Sequence, residues 1–336
     1  GVGKTSLANV LNEMVYAGEQ ASPSVRINCS TSDDFRSIWM KVFRAGGFGI
    51  PDSWNFVAPD PDEIRLALQS LDRSRVVILD EYDRVEDDDS VSLMADTIKA
   101  LSDHSVGTKL VIVGVATSID ELIGEHESVL RAIEQILMPR MSELEMAEII
   151  DTGLNAAEMS IAPSAKARIT RLAEGLPHYV NLLALQAAMR AVQDDRSNIL
   201  NRDVEFAAAR AVESHSLLRD YQVAIQSPRP NNLFERVLLS CALAEKNMLG
   251  QFTAAAVRDP MSRIMGSTYD IPAFAPHLKA FTEYDRGSVL VREGSKRRYT
   301  YRFRNPLMQP FAVLHAISGG LLEDDHLEEL FGVTKD

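Results

Sequence analysis

The chain has 336 residues, of which 46% are hydrophobic and 25% charged, so it is long enough for two or three globular domains with their own cores. Its longest apolar run, LVIVGVA at 110–116, is far shorter than the roughly 18–20 residues that span a bilayer, so we expect no membrane contact. The net charge of −13 argues against a protein coated in nucleic acid, and two distant cysteines argue against a disulfide framework and favour a cytoplasmic location.

Helix and strand patterns alternate in the first part of the chain. In chain order they predict a helix at Lys4–Tyr16, a strand at Ser24–Cys29, a helix from about Asp33 to Arg44 with its N-cap at Thr31–Ser32, a helix near Asp62–Leu71, a strand that ends at Asp80, a helix at Val91–Ser102 capped by Asp89–Ser90, and a strand at Lys109–Ser118. The later strands are continuous apolar runs. This combination predicts a parallel sheet that helices cover on both faces.

From about Ser142 the pattern changes to helices only. The sequence SELE at Ser142–Glu145 is a capping box that begins one helix. Pro163 begins a second helix, which stops at Gly175, and Pro177 begins a third. We therefore expect an all-helical domain after the α/β part.

The last part of the chain combines helices with a hairpin. Residues 227–232, SPRPNN, have the composition of a linker, and several helices after it precede a β-hairpin that turns at Glu293–Ser295. Several helices followed by a hairpin is the order of elements in a winged helix. We expect three domains, at residues 1–141, 142–226 and 232–320.

The chain begins with the second half of a phosphate-binding loop, G-x-x-x-x-G-K-[ST]. The residues of this half are Gly1, Val2, Gly3, Lys4, Thr5 and Ser6. In such a loop, backbone N–H groups and the following helix N-terminus hold phosphate oxygens, the lysine adds a positive charge, and the threonine hydroxyl binds Mg²⁺. The first glycine of the motif and the strand before it would precede Gly1, so we expect the natural protein to continue upstream.

The strand sequence VVILDEYD supports the phosphate-site interpretation. Its apolar residues Val76–Leu79 place Asp80 and Glu81 at the carboxyl end of a buried strand, which is the edge where parallel sheets bind ligands. Asp80 would hold Mg²⁺ together with Thr5, and Glu81 would polarise the attacking water. The alternative is that both acids only end a strand and lie in a charged surface turn. Together, the two motifs favour an ATP site with Mg²⁺.

These motifs resemble those of AAA+ ATPases, and more narrowly those of the group shared by origin-recognition ATPases and STAND-type signalling ATPases. GVGKTS is similar to part of Walker A, VVILDEYD to Walker B with its DE-x-D extension, VRINC to the second strand, and LVIVGVATSIDEL to the sensor-1 strand. The resemblance implies a P-loop α/β sheet followed by a helical lid and a winged-helix domain, with ATP and Mg²⁺ as cofactors. It also implies that Thr117 senses the γ-phosphate, with a helix N-cap as the alternative role.

The segment ESVLRAIEQILMPRMSELEMAEII resembles the arginine-finger region, the last strand and the lid entry of these proteins. The resemblance makes Arg131 the finger, which would complete the site of a neighbouring copy and so imply a homo-oligomer. It makes Pro139 the residue that follows the strand. The alternatives are that Arg131 is an ordinary solvated arginine, and that the nearby Arg140 takes the role.

The lid segment GLPHYVNLL departs from the origin-recognition pattern, in which an arginine follows the glycine. The tripeptide Gly175-Leu176-Pro177 instead matches the G-x-P motif of STAND proteins, and His178 stands near the nucleotide-sensing position. This departure favours a nucleotide switch. The alternative for His178 is a capping or packing role.

Alternation along the second hairpin strand predicts one aromatic and one basic face. The aromatic face carries Tyr299, Tyr301 and Phe303, and the other carries Arg298, Thr300, Arg302 and Arg304. The candidates for contact with DNA phosphates are Arg292, Lys296, Arg297, Arg298 and Arg302. The alternative is that the basic face docks on an acidic surface of this protein or of a partner.

Three functions remain open. The first is an ATP-binding and ATP-hydrolysing switch in signalling or defence, whose nucleotide state sets the positions of lid and winged helix and which contacts a partner protein. The second is a DNA-associated ATPase of the initiator or transposition-helper kind. The third is a nucleotide-binding module that hydrolyses negligibly. The G-x-P motif and the acidic charge favour the first, the basic hairpin and DE-x-D favour the second, and Glu81 counts against the third.

Overall fold

The structure is a computed structural model, and it describes residues 3–16, 24–115, 122, 124, 129–214, 216–229, 232–247, 249–295 and 298–322. The chain divides into two compact units, the first at Gly3–Met138 and the second from Pro139 onward. Within the described ranges, no helix is long and apolar enough to cross a bilayer.

The first unit is built from helices and a parallel sheet. Its elements include the helices α1 (Lys4–Tyr16), α2 (Phe35–Gly46), α3 (Pro61–Gln69) and α4 (Asp88–Asp103), and the strands β1 (Ser24–Asn28), β2 (Val76–Asp80) and β3 (Lys109–Ile112). The strands pair in parallel in the order β1-β2-β3, which confirms the predicted parallel sheet. Because Asn28 pairs with Asp80 in register, the carboxyl ends of β1 and β2 lie side by side.

The middle strand supplies the core of the first unit. Val77, Ile78 and Leu79 are completely buried on β2, where apolar side chains on both faces favour a covered central strand. Helix α2 packs on β1 and on α4, and its Ile38 and Trp39 are also completely buried. The core therefore fixes the strand that ends at the predicted site.

The N-caps of two helices differ from the predicted ones. Helix α2 is capped by Asp34, whose carboxylate accepts the Ser37 N–H at 2.7 Å, while the Ser37 hydroxyl accepts the Asp34 N–H at 2.9 Å. The prediction of Thr31–Ser32 as the cap was wrong because this reciprocal capping box satisfies two backbone donors. Helix α4 is also capped earlier than predicted, by Asp87, whose carboxylate accepts the Ser90 N–H at 3.0 Å.

The edge of the sheet is less complete than the sequence predicted. Strand β3 ends at Ile112 and is only partly buried, because no described strand pairs with its outer edge. The strand expected before Pro139 is not formed, and Ile136 and Leu137 are exposed there, with 75% and 58% of their surface accessible. A strand needs backbone partners, and none of the described residues supplies them to this segment.

The second unit is mainly helical. Its helices are α5 (Glu143–Ala156), α6 (Pro163–Ala173), α7 (Pro177–Gln193), α8 (Asn201–Ser214), α9 (Leu218–Ile225), α10 (Phe234–Leu243), α11 (Ala254–Met265), α12 (Ile271–Ala280) and α13 (Met308–Ser318), and its strands are β4 (Ser160–Ile161), β5 (Asn198–Ile199), β6 (Phe252–Thr253), β7 (Leu290–Glu293) and β8 (Thr300–Phe303). Strands β4 and β5 form a small parallel pair. The other three form an antiparallel sheet in the order β6-β8-β7.

The predicted hairpin is confirmed. Strands β7 and β8 pair antiparallel, and Gly294 after β7 has φ +87°, a left-handed conformation that glycine adopts without a steric cost. Tyr301 and Phe303 are buried, whereas Thr300 and Arg302, which alternate with them along β8, are partly exposed. The alternation of an aromatic inner face and a polar outer face is therefore present.

A single hydrophobic core runs through the second unit. It begins with Met146 on α5 and reaches Leu322 after α13. Helix α13 packs on α6, α8 and α10, and the Tyr221 and Phe311 rings meet edge to face at 5.5 Å. The segments predicted as lid and winged helix consequently share one core and form one compact body.

Candidate nucleotide site

The first turn of α1 carries the described part of the glycine–lysine motif. Gly3 has φ +98°, and the Leu7 N–H donates to the Gly3 carbonyl at 2.9 Å, so the helix begins directly after the glycine. Ala8 is buried and anchors the helix, while Thr5 and Ser6 are exposed. Helix N-termini present N–H groups without helical partners, which suits them to bind anions. Gly1 and Val2 lie outside the described residues.

The charges of two carboxylates act on Lys4, in the first turn of α1. Burial lowers the pKa of the Lys4 ammonium, and the negative charges of Asp83 and Asp80 act in the opposite direction. Helix α1 also packs against β2, so the glycine–lysine motif lies on the strand that ends at Asp80. Asp83 is a further member of the site, and its carboxylate also accepts the Val115 N–H at 2.9 Å.

Asp80 is buried, and each of its carboxylate oxygens accepts a hydrogen bond. Its side chain is only 4% exposed, and one carboxylate oxygen accepts the Glu81 N–H at 2.9 Å. The other oxygen accepts from the Arg26 guanidinium at 2.6 Å. The sequence gives no sign of this contact of Arg26, because it joins residues 54 positions apart and leaves no local pattern.

Glu81 has an unusual backbone conformation at the end of β2. Its φ of 57° and ψ of 35° are left-handed, which a residue with a Cβ adopts only at a cost. Its side chain is about half exposed and pairs with Arg84 at 3.0 Å. This places a carboxylate at the solvent end of the strand, where a general base can reach water.

The oxygen donors of this site suit Mg²⁺. The Thr5 hydroxyl and the Asp80 carboxylate are the hard oxygen ligands that this ion prefers. Among the described residues, no group of three or more His, Cys, Asp or Glu side chains could hold a metal ion. Magnesium sites that bind nucleotides use one or two protein ligands with substrate phosphates, so the donor set fits.

The other predicted residues of the nucleotide site are more scattered. Thr117 lies outside the described residues. Arg131 is exposed at the end of a short 3₁₀ helix, Val129–Arg131. Arg140, the alternative finger, belongs to the second unit and is held there by hydrogen bonds. His178 also belongs to the second unit, at the surface of the first turn of α7, with its ring edge-on to Tyr179 at 5.5 Å.

The G-x-P motif forms a tight turn between α6 and α7. Gly175 has φ +75°, and its carbonyl accepts the Met141 N–H at 3.0 Å. A Cβ added to Gly175 would lie 2.6 Å from the Arg140 Cβ and 2.8 Å from the Met141 carbonyl oxygen. Pro177 occupies the first turn of α7. Glycine is therefore required by both the backbone conformation and the close approach of neighbouring residues.

The Gly175→Ala change is expected to lower the free energy of unfolding by about 1–3 kcal/mol, because alanine is strained at this φ and its Cβ has no room. Urea unfolding of the two proteins measures the difference. Gly153→Ala is the matched control, since Gly153 is exposed within α5 with no atom close to an added Cβ. The free energy of unfolding of that control is expected to rise by ~0.5–1 kcal/mol. Equal changes in the two variants would contradict the close packing around Gly175.

A largely buried polar cluster, here called the turn network, holds this turn in the second unit. Its members are Arg140, Glu174, Lys246 and Gln309. Arg140 donates to the Glu174 carbonyl at 3.0 Å and to the Gln309 side-chain oxygen at 2.6 Å, and its guanidinium lies 3.6 Å from the Glu174 carboxylate. The Gln309 amide donates to the Glu174 carboxylate and to the Ala242 carbonyl. The turn after α6 is therefore bound to α10 and α13.

The charges of the turn network are unusual. Burial raises the pKa of the Glu174 carboxyl, and burial lowers the pKa of the Lys246 ammonium to about 8. Lys246 donates to the Ala242 and Ala244 carbonyls, each at 2.6 Å, at the end of α10. The negative charge of Glu174 compensates the positive charges of Arg140 and Lys246 only while the three side chains stay together.

The basic residues of the hairpin differ in their surroundings. Arg302 pairs with Glu293 at 2.8 Å, and both side chains are less than a quarter exposed. The Arg292 guanidinium lies over the Tyr299 ring at 4.5 Å, and Arg298 is exposed. The predicted candidates at 296 and 297 lie outside the described residues. Arg302, one of the arginines predicted to contact DNA phosphates, is thus already paired with a carboxylate of this protein.

Comparison with known proteins gave a match in structure alone. No model of a protein family and no curated protein matches the sequence. The ORC2 protein of Aeropyrum pernix, solved in ADPNP–ADP complexes, is similar with a TM-score of 0.51 and 14% identity, over 95% of this chain and 85% of that chain. Cdc6p from Pyrobaculum aerophilum has a TM-score of 0.50 and 15% identity, over 97% of this chain and 86% of that chain. The similarity shows that this chain shares the fold of these two proteins, with a parallel α/β sheet followed by a mainly helical part.

Proposed function

We propose that the chain binds ATP with Mg²⁺ at the N-terminus of α1 and hydrolyses it. The observation that carries this proposal is the packing of α1, which carries Lys4 in its first turn, against β2, which ends at Asp80, with Glu81 at the open end of β2. The similar ORC2 protein was solved with ADPNP and ADP, which supports a nucleotide as the ligand.

Each residue of the site has a chemical role in this proposal. The N–H groups of the first turn and the Lys4 ammonium hold the β- and γ-phosphates. Thr5 and Asp80 would hold Mg²⁺, which neutralises phosphate charge when it is bound. Glu81 orients and polarises the attacking water. These four residues make up the hydrolytic centre.

The resemblance adds three further roles to the proposal. Thr117 senses the γ-phosphate, Arg131 completes the site of a second copy, and His178 contacts the nucleotide from the lid. The finger role makes turnover dependent on a homo-oligomer.

We propose further that the nucleotide state controls the second unit, as in signalling or defence switches with a protein partner. The G-x-P turn supports a switch, because Gly175 is fitted closely against Arg140 and Met141. The element order from α10 to β8 supports a winged helix at 232–320 after a lid at 142–226. Because both share one core, they respond to nucleotide as one body.

A DNA-associated ATPase is the second candidate. The observations that favour it are two exposed arginines of the hairpin region, Arg298 before β8 and Arg292 on β7, whose guanidinium stacks on the Tyr299 ring. The ion pair of Arg302 with Glu293 weakens this candidate, since a paired arginine must leave its partner to reach a phosphate.

Replacement of Lys4 tests nucleotide binding. Lys4→Ala is expected to weaken ATP binding about 10- to 100-fold, because one charge-assisted contact of ~1.5–3 kcal/mol is lost. Fluorescent-nucleotide titration measures the affinity. Lys99→Ala is the control, because Lys99 is exposed on α4, and it is expected to bind as the unchanged protein does. Equal affinity in both variants would refute the proposed site.

A further inference from the structure

We propose that Arg26 is a resident cation that competes with the metal ion for Asp80. Its guanidinium would hold the carboxylate when no metal is bound and release it when the metal binds. This inference rests on the proposed Mg²⁺–ATP site, and it adds to it a residue that sets the affinity for the metal.

The first observation is the geometry of the contact. The Arg26 Nη2 atom lies 2.6 Å from the Asp80 Oδ2 atom, and the two side chains are 21% and 4% exposed. The other carboxylate oxygen accepts the Glu81 N–H. Both oxygens of Asp80 therefore have a hydrogen-bond donor, and burial of the carboxylate limits the screening of the attraction by solvent.

The second observation is the position of Arg26 in the sheet. It lies on β1 between the buried residues Val25 and Ile27, and it pairs in register with Ile78 of β2. Its Nη1 atom donates to the side-chain oxygen of Asn9 on α1. The guanidinium consequently links the helix of the glycine–lysine motif to the acidic end of β2.

The third observation is an unsatisfied donor. The Arg26 Nε atom is buried and has no hydrogen-bond partner in the part of the chain that the structure describes. A buried donor without a partner destabilises the fold, so packing alone is a poor reason for an arginine here. A cation that matches the buried Asp80 charge in the metal-free state gives such a reason.

Two cations cannot share one carboxylate without repulsion. A divalent metal at Asp80 must approach a guanidinium that is already 2.6 Å from the carboxylate, and in a partly buried site this repulsion is strong. Asn9 can keep one hydrogen bond with the arginine after it releases Asp80. Arg26 is thus expected to weaken metal binding and to be a positioning residue for Asp80 in the metal-free state.

The test is a titration with Mn²⁺ at saturating ADP, in which the electron paramagnetic resonance signal of the free ion measures how much metal is bound. Arg26→Gln is expected to bind Mn²⁺ at least about tenfold more tightly than the unchanged protein, since one competing charge is removed. Arg44→Gln is the matched control, because Arg44 is exposed at the end of α2 and its loss changes the net charge equally. It is expected to leave the affinity unchanged.

Two more variants make the result decisive. Adding Asp80→Asn to Arg26→Gln is expected to abolish the gain in Mn²⁺ affinity. Arg26→Lys keeps the positive charge, so it is expected to bind Mn²⁺ as weakly as the unchanged protein does. Circular dichroism checks that each variant is folded. Mn²⁺ affinity that is unchanged or lower in Arg26→Gln would overturn the inference. If Arg26→Gln does not bind Mn²⁺ more tightly but the unchanged protein binds ATP in a Lys4-dependent way, only this inference fails. If the unchanged protein does not bind ATP, the proposed function itself is refuted.

Discussion

Glu81→Gln is expected to lower ATP turnover about 100- to 10,000-fold while ATP affinity stays within about twofold. Glutamine has the same shape but cannot accept a proton from the attacking water. Glu81 is suited to this role because it lies at the open end of β2, in a left-handed conformation, with its carboxylate about half exposed. Phosphate release under saturating ATP measures turnover, and nucleotide titration measures affinity.

Glu86→Gln is the matched control for this change. Glu86 is an exposed acid in the loop that follows Glu81, so its replacement alters the net charge equally. We expect its turnover to equal that of the unchanged protein. If Glu81→Gln hydrolysed ATP as fast as the control, Glu81 would have no catalytic role and the site would be a nucleotide-binding module.

Glu174→Ala is expected to lower the free energy of unfolding by about 3 kcal/mol. The change leaves Arg140 and Lys246 as largely buried positive charges without their shared acid, and it removes an acceptor from the Gln309 amide. Removing one partner of a buried charge cluster costs more than the cluster itself contributes, because the remaining charges are uncompensated. Denaturant unfolding followed by circular dichroism measures the effect.

The control for Glu174 is another acid of the second unit. Glu213 pairs with Arg210 on the surface of α8, with the two side chains 67% and 55% exposed. Glu213→Ala is expected to cost less than ~1 kcal/mol, because water and salt screen such pairs. A loss at Glu174 as small as that at Glu213 would mean that the turn network does not hold α10 and α13 to the turn.

Local patterns were sufficient for several elements of the fold. Helix α1 has the predicted bounds, strand β2 ends at Asp80 as predicted, and the hairpin turns beside Gly294. Each of these depends on a signal that lies within a few residues, such as a glycine at a turn or a continuous apolar run. The packing of α1 against β2 was also predictable, because the order of the two motifs places both at one sheet edge.

Contacts between distant parts of the chain were not predictable in this way. The Arg26–Asp80 ion pair spans 54 positions, and the Gln309–Glu174 hydrogen bond spans 135. Neither contact leaves a periodic or capping pattern, so a single sequence carries no signal for it. The cap of α2 was missed for a different reason, since several polar residues precede the helix and only the reciprocal bonds of Asp34 and Ser37 select one.

The most direct test of the proposed switch is ATP turnover by the unchanged protein with Mg²⁺, measured with and without duplex DNA. We expect phosphate release that disappears in Glu81→Gln and that DNA leaves unchanged, since Arg302 of the hairpin is already paired with Glu293. Absence of turnover while ATP still binds would contradict the hydrolytic site. Turnover that rises with DNA would contradict the switch with a protein partner and support the DNA-associated ATPase.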